Sequence, residues 1–403
     1  MKLKSYFLLS IVVGMTFACS SDENVPEVEV FTPDATLSLA AVADGKSLTK
    51  AGEGEGENID QEDAINSLHV MVFYADGNLQ IDKVVATNRV EDLDVQSGAV
   101  KILVLANVGT REKQFGTLKE ALVYQMALDN ENENNGYSMS SRLIEATLDE
   151  GKHNIFGEIK DFSGHMPNVS KDGNNIKLTR HIAQINLKSV SVKSDNGKAS
   201  FVIDSVFMAN VKGYSLMAAN STEEWGMVES KGAPEGNFLW WYGQYENEYW
   251  NGEYKTIEDG LLKADLLGFN ANNRKVTSSS PWKPETGQLA CGKSFIVYEN
   301  MVDAVKPGQR TLLVLKGTYT DDNGRVEENR FYTIPVNAMG TMTNAEGGTP
   351  DHSYVKRNYR YNISLTINSS GSDRPYDPAS EACMDVAVMV ADWDVIEQNE
   401  DLD

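Results

Sequence analysis

The residue types that usually carry chemistry are present in this 403-residue chain, but not in a working arrangement. The five histidines, His69, His153, His165, His181 and His352, lie far apart. None has an H-x-x-x-H neighbour and no Cys-x-x-Cys occurs, so no metal site is expected. His69 and His181 fall inside apolar runs and read as strand residues rather than general bases. A G-x-S-x-G nucleophile elbow and a phosphate-binding loop are both missing. Carboxylates abound, yet cleaving a glycoside needs two of them held across a cleft, and no stretch of the sequence builds one. The polar stretch Asp129–Gly136 is faintly like a calcium loop, but it carries Asn134 where such a loop needs Gly. The chain is therefore read as a non-enzyme with no cofactor.

One cluster suits binding rather than catalysis. Residues 238–254 hold eight aromatics, among them Trp240, Trp241 and Trp250, with acids and amides beside them. Aromatic faces of this kind stack on sugars, which gives a possible glycan contact; the preferred reading is that the rings fill a large β-domain. Of the three cysteines, Cys291 and Cys383 either pair in an oxidising compartment or remain two buried thiols, and the spacing leaves both open.

The third cysteine, Cys19, ends a secretory signal. Lys2 and Lys4 precede the apolar run Tyr6–Met15, and Ala18 stands before the junction. That run is too short to span a bilayer, which takes about 20 residues. A Cys at the junction resembles a bacterial lipoprotein signal, although Thr16 stands where Leu is usual. The resemblance implies a diacylglycerol on the Cys19 thiol and a place outside the cytoplasm. Asp22 and Glu23 just beyond it resemble the surface-export tag of Bacteroides-type lipoproteins. An ordinary secretory signal is the alternative.

The elements that follow are almost all strands. Ala35–Val42 alternates, with Leu37, Leu39 and Ala41 on one side. The Gly/Glu run from Gly52 to Glu57 self-repels and stays solvated, which places Lys50-Ala51 in a protease-accessible loop. Leu68–Tyr74 leads into an Asp76-Gly77 turn, and Val100–Asn107 is apolar enough to be buried on both faces. Leu118–Leu128 has helical spacing, and Ile176–Leu187 reads as one long strand. Thr311–Tyr319 pairs with Arg330–Val336 across Asp321–Gly324, and Tyr359–Ile367 and Val386–Ile396 follow, with a bulge or bend expected near Asp392. The fold class is all-β with minor α, as two β-sandwiches in tandem. The expected boundaries are 1–19 for the signal, 20–50 for a leading segment with the first strand, 51–190 for the first domain and 191–403 for the second. A net charge of −23 and a pI near 4.6 repel phosphate backbones, so nucleic acid is no partner.

Several segments, in this order, resemble fimbrillins, the type V pilins of Bacteroides-like bacteria. They are Lys50-Ala51 after the first strand, Leu68–Phe73, Val104–Asn107, Ile296–Asn300, Lys356–Ile367 and Val390–Val395. The likeness runs over nearly the whole chain and implies two β-sandwich domains. It also implies a structural subunit of a cell-surface fimbrium serving adhesion and biofilm, made first as a lipoprotein on the outer membrane. On that pattern a maturation protease cuts at Lys50-Ala51, where relatives usually carry Arg, and removes the strand holding Leu37, Leu39 and Ala41. The C-terminal segment of another copy then fills the groove, with Val386, Val388, Val390, Trp393, Val395 and Ile396 as donor residues. Partners implied are the chain itself, head to tail, minor fimbrial subunits, the protease, and a host or bacterial receptor or glycan. An anchor subunit would keep its first strand and a tip subunit would lack the donor tail.

Overall fold

The computed structural model describes residues 31–44, 64–109, 114–131, 135–157, 162, 169–171, 175–218, 239–243, 254–257, 274–283, 295–301, 310–338, 342–344, 352–374 and 383–392. Only the backbone is described at 129, 170–171, 239–243, 254–257, 342–344 and 390–392. Met1–Thr32 and Pro33–Asp403 separate as two units, and every helix and strand described belongs to the second.

The first half contains β1 Ala35–Ala43, β2 Leu68–Tyr74, β3 Leu79–Val85, β4 Arg89–Val95, β5 Gly98–Ala106, α1 Leu118–Leu122 and β6 Gln125–Ala127. After these come β7 Met139–Ser140, β8 Ile144–Leu148, β9 His153–Phe156, β10 Val169–Lys171 and β11 Ile176–Arg180. The strand order is β10-β9-β1-β11-β7-β5-β2-β3, with β4 added to β1 and β8 to β5. β2 and β5 are buried on both faces, as the apolar run of β5 anticipates. Val70, Val72, Ile102 and Val104 enter the main core of this domain. Met71, Phe73, Leu103 and Leu105 pack the other way, against Leu118 and Ala121 of α1.

The second half contains β12 Ile182–Val192, β13 Ser200–Lys212, β14 Tyr214–Leu216, β15 Leu239–Gly243, β16 Tyr254–Ile257 and β17 Lys275–Thr277. It continues with β18 Phe295–Tyr298, β19 Leu312–Thr320, β20 Val326–Pro335, β21 Met342–Asn344, β22 Tyr359–Ile367 and β23 Met384–Asp392. One sheet runs β18-β12-β22-β23-β21 and a second runs β16-β15-β13-β19-β20, with β17 on β13. Ile185, Leu187, Ile363 and Val388 of the first meet Phe201, Val206, Leu313 and Tyr332 of the second in one core, which makes a sandwich. The hairpin expected between Thr311–Tyr319 and Arg330–Val336 is β19–β20, and the turn at Asp76-Gly77 joins β2 to β3.

Three details depart from the sequence reading. Leu118–Leu128 is helical only over α1; Thr117 Oγ1 accepts the Glu120 N–H at its start, but Gln125–Ala127 pair with β14 instead. A tertiary partner for the backbone outweighs helical spacing there. Ile176–Leu187 is not one strand but two, broken at His181: β11 pairs β1 and β7 in the first domain, whereas β12 pairs β18 and β22 in the second. The chain therefore changes sheets at His181 rather than at 190, because alternation continues across the break and carries no mark of the exchange.

Candidate functional site

β1 lies inside its sheet rather than at an edge. Ala35–Leu37 and Leu39–Ala40 pair antiparallel with β4, Thr36–Leu39 pair parallel with β9, and Ala41–Ala43 pair parallel with β11. Its partners on both sides are thus remote in sequence, and residues 44–67 are all that joins it to β2. Ala35, Leu37, Leu39, Ala41 and Ala43 face the domain core beside Val90, Leu93, Val95, Phe156, Ile176 and Leu178. Leu37 and Leu39 are fully enclosed, and each such side chain contributes about 1.5–3 kcal/mol. Ala40 faces the other way, onto Ile155 and Phe162.

The ends of β1 are fastened as well. Asp34 accepts the Ser97 N–H at 2.6 Å and the Ser97 hydroxyl at 2.9 Å, and these bonds lower its pKa. At the other end Arg180 donates from Nη1 to the Asp44 carbonyl at 3.3 Å and to Asn358 Oδ1 at 2.9 Å. Arg180 therefore links the exit of β1 to the second domain just ahead of β22.

One polar side chain interrupts the strand. The register of β1 on β4 shifts between Leu37 and Leu39, so that Glu91 and Asp92 together oppose Ser38. Asp92 takes a left-handed φ of 53°, and its N–H donates to Ser38 Oγ at 3.0 Å. Ser38 Oγ also lies 2.7 Å from His153 Nε2, and His153 Nδ1 lies 3.6 Å from Asp92 Oδ1. Sequence spacing gives Ser38 and Asp92 no role and His153 no metal partner, and does not join the three. A lone serine between leucines was the available signal, but its partners are set by a bulge that has no sequence mark.

The expected donor residues occupy a different place. Val386, Val388 and Val390 are in β23, which pairs antiparallel with β22 along Met384–Asp392 and parallel with β21. Val388 is buried and Val386 half-buried in the core of their own domain, so a donor drawn from them has to leave that sheet first. Trp393, Val395 and Ile396 lie outside the described residues, as do Cys19, Lys50, Ala51, Trp250 and Cys291, and up to Asp392 the ladder of β23 on β22 shows no register shift. Cys383 is half-buried at the start of β23. Trp240 and Trp241 are consecutive positions of β15, in register with β13 and β16.

A serine, a histidine and an acid do meet at the junction of the two domains. His181 places Nδ1 3.0 Å from Ser138 Oγ and Nε2 2.8 Å from Ser140 Oγ. Glu131 accepts the Ser138 N–H at 3.0 Å, the Ser138 hydroxyl, and the Tyr298 hydroxyl at 2.9 Å. Arg357 is buried there too, with Nε 3.6 Å from Glu299 Oε1 and Nη2 donating to Ser215 Oγ at 3.1 Å. Ser140 and His181 are both 0% exposed, so no substrate reaches them; the cluster is a polar joint. Burial raises the pKa of the Glu131 carboxyl. Burial first, and the Arg357 charge second, push the His181 imidazole well below 6.5. A histidine neutral when folded takes up a proton on unfolding, so stability is lost as pH falls below about 6.5. Denaturant titrations at pH 7 and pH 5 are expected to show a loss of up to about 2 kcal/mol from this group, and a smaller loss in His181→Gln. Glu131 acts in the opposite sense in both proteins, so the difference isolates His181; identical pH responses would refute the assignment.

Comparison with known proteins agrees in both halves. Residues 35–180 match the family Major fimbrial subunit protein (FimA), and residues 269–393 match the Fimbrium tip subunit Fim1C-like, C-terminal domain. The chain is 25% identical to a major fimbrium subunit, FimA type-2, of Porphyromonas gingivalis, with 99% of each chain covered. It is 23% identical to a candidate fimbrium tip subunit, Fim1C, of Parabacteroides distasonis, covering 92% of this chain and 88% of the relative. A solved candidate cell-adhesion protein from Parabacteroides distasonis superposes with a TM-score of 0.62 at 25% identity, over 90% of this chain and 99% of that one. With its two β-sandwich domains, its matched halves and its end-to-end similarity to such subunits, the chain belongs to the fimbrillin family and is a fimbrial subunit of the cell surface.

Proposed function

We propose that this chain is a shaft subunit that polymerises by strand donation once β1 has been cut away. The observation that carries this reading is the position of β1, an enclosed strand whose neighbours on both sides are remote in sequence and whose only link onward contains Lys50-Ala51. Removal of β1 would strip the apolar cover from Val90, Leu93, Phe156 and Leu178 and leave ladder groups of β4, β9 and β11 unpaired. Such a groove is a liability on a lone protein and a docking site on an assembling one. The occupant is the segment beginning at Met384 of a second copy, which would have to leave β22 and β21. Because groove and donor are on opposite halves of the chain, the contact is head-to-tail and does not close on itself, which gives a fibre. In this scheme Cys19 carries the lipid that holds the precursor on the outer membrane, and the cut frees the subunit. Adhesion and biofilm formation are the roles of the assembled fibre.

Electron microscopy of the full chain, before and after a protease cut within residues 45–63, tests this. Fibres are expected only after the cut, and none from a chain that also lacks residues 384–403. Fibres from that truncated chain, or a cut chain that stays monomeric, would overturn the reading. The match of residues 269–393 to a tip-subunit domain supports a second role, a single copy at the fibre end. Immunogold labelling along the shaft favours the first, and labelling only at the tips favours the second.

A further inference from the structure

Resting on the strand-donation reading, we infer that Ser38, Asp92 and His153 mark a register, and that an incoming strand seats Asp385 at the place Ser38 now holds. Departure of β1 removes the hydroxyl that accepts the Asp92 N–H and contacts His153 Nε2. Both groups then point at one position of the slot. His153 is 9% exposed with β1 in place, so a strand with an apolar group there leaves its ring nitrogen and the Asp92 N–H without the polar partner that Ser38 supplies.

The slot fixes its other positions by size. Position 37 is a large apolar site and so is position 39, since Leu37 and Leu39 are 0% exposed. Position 40 admits only a small side chain, because Ala40 lies against Ile155 and Phe162. Position 41 again faces the apolar core. The required order is therefore large apolar, acceptor, large apolar, small, apolar. Within 384–396 this order occurs once, as Met384-Asp385-Val386-Ala387-Val388. Asp392 has Ala391 before it and Asp394 two places after; Asp394 has Ile396 two places after. Neither fits. Running in the direction of β1, Met384, Val386, Val388 and Val390 would take the places of Leu37, Leu39, Ala41 and Ala43, and Ala387 would take that of Ala40.

The proposal explains a feature of β23 that its own domain does not use. Asp385 and Ala387 are exposed there, whereas Met384 and Val388 are buried. A carboxylate at the Ser38 place would accept from the Asp92 N–H and from the His153 tautomer that is protonated on Nε2, and charge-assisted bonds of this kind are about twice as strong as neutral ones. A single buried polar position sets register in helical coiled coils by penalising slipped pairing, and a one-residue slip of a strand moves its apolar set to the wrong face.

Two measurements on the cut, full-length chain test the register. Asp385 is exposed in the unassembled fold, so its substitution leaves that fold intact. Polymer growth, followed by light scattering, is expected to slow at least tenfold in Asp385→Leu and to change little in Asp385→Asn. Asp385→Leu is expected to have much less effect when His153→Leu is also present. In a background of Cys291→Ser and Cys383→Ser, Val90→Cys paired with Val386→Cys is expected to cross-link one copy to the next, because Val386 would lie where Leu39 now opposes Val90. Cross-linking through Met384→Cys or Val388→Cys instead, or unchanged growth of Asp385→Leu, would overturn the register while leaving donation intact. A wild-type cut chain that gives no polymer at all sinks donation, and the register with it.

Discussion

A Thr36→Cys, Asp94→Cys variant should remain monomeric after the 45–63 link is cut, for as long as it is oxidised. The two positions face each other across β1 and β4. Directly opposed residues on antiparallel strands hold their Cβ atoms about 4.5–5.5 Å apart, close enough for a disulfide after a small adjustment. The bond would keep β1 in its slot whatever happens to the chain beyond it. Reduction should release the strand and start polymer growth with no other change. The effect is all-or-none, because a groove already filled by a tethered strand offers the donor neither apolar surface nor backbone partners. Native gels and negative-stain microscopy before and after dithiothreitol read the result. Fibres from the oxidised, cut protein would show that β1 does not have to leave, and the assembly scheme would fail.

The second large effect concerns what holds β1 there. Replacing both Leu37 and Leu39 by Ala removes two fully enclosed side chains from the first-domain core. Each such change costs about 2–5 kcal/mol, so the pair costs roughly 4–10 kcal/mol. That is comparable to the whole stability of a domain, about 5–15 kcal/mol. In the uncut chain, the first domain is expected to melt well below the second. In the cut chain, β1 should dissociate sooner and fibres should appear with a shorter lag. Chemical denaturation with separate probes for the two domains checks the first expectation, and scattering kinetics the second. An unchanged melting profile would mean that the slot closes over the smaller side chains, and the groove would then be no preformed receptor.

The two expectations pull apart the roles of the same strand. A lock strengthens the hold of β1 and should stop assembly; hollowing out its apolar side weakens that hold and should hasten assembly. Both follow from one feature, that Leu37 and Leu39 are enclosed by partners from β4, β9 and the strands beyond rather than by neighbours in sequence.

Alternation was enough to find β1, because a side-chain period of two is a local property of an extended chain, and apolar runs bounded by turn residues marked β2, β19 and β20. The apolar run of β5 likewise announced that both of its faces are covered. Composition and motif order were enough to set the fold class and the family. What was not legible involves pairs of residues far apart in the chain. Leu118–Leu128 looked helical, but its second half found β14. Ile176–Leu187 looked continuous, but at His181 it passes from one sandwich to the other, where Ser138, Ser140 and Glu131 close around the imidazole. Val388, a donor residue on the family pattern, is buried in its own domain, which no local pattern announces. Ser38 looked incidental in an apolar strand, but a bulge in β4 and a ring from β9 converge on its hydroxyl. The sequence by itself determined the all-β class, several of the strands and the family, since each is written in local pattern and order. Only the tertiary structure decided that β1 is enclosed on both sides and carries a polar mark at its centre, because sheet partners, bulges and burial arise when remote segments meet.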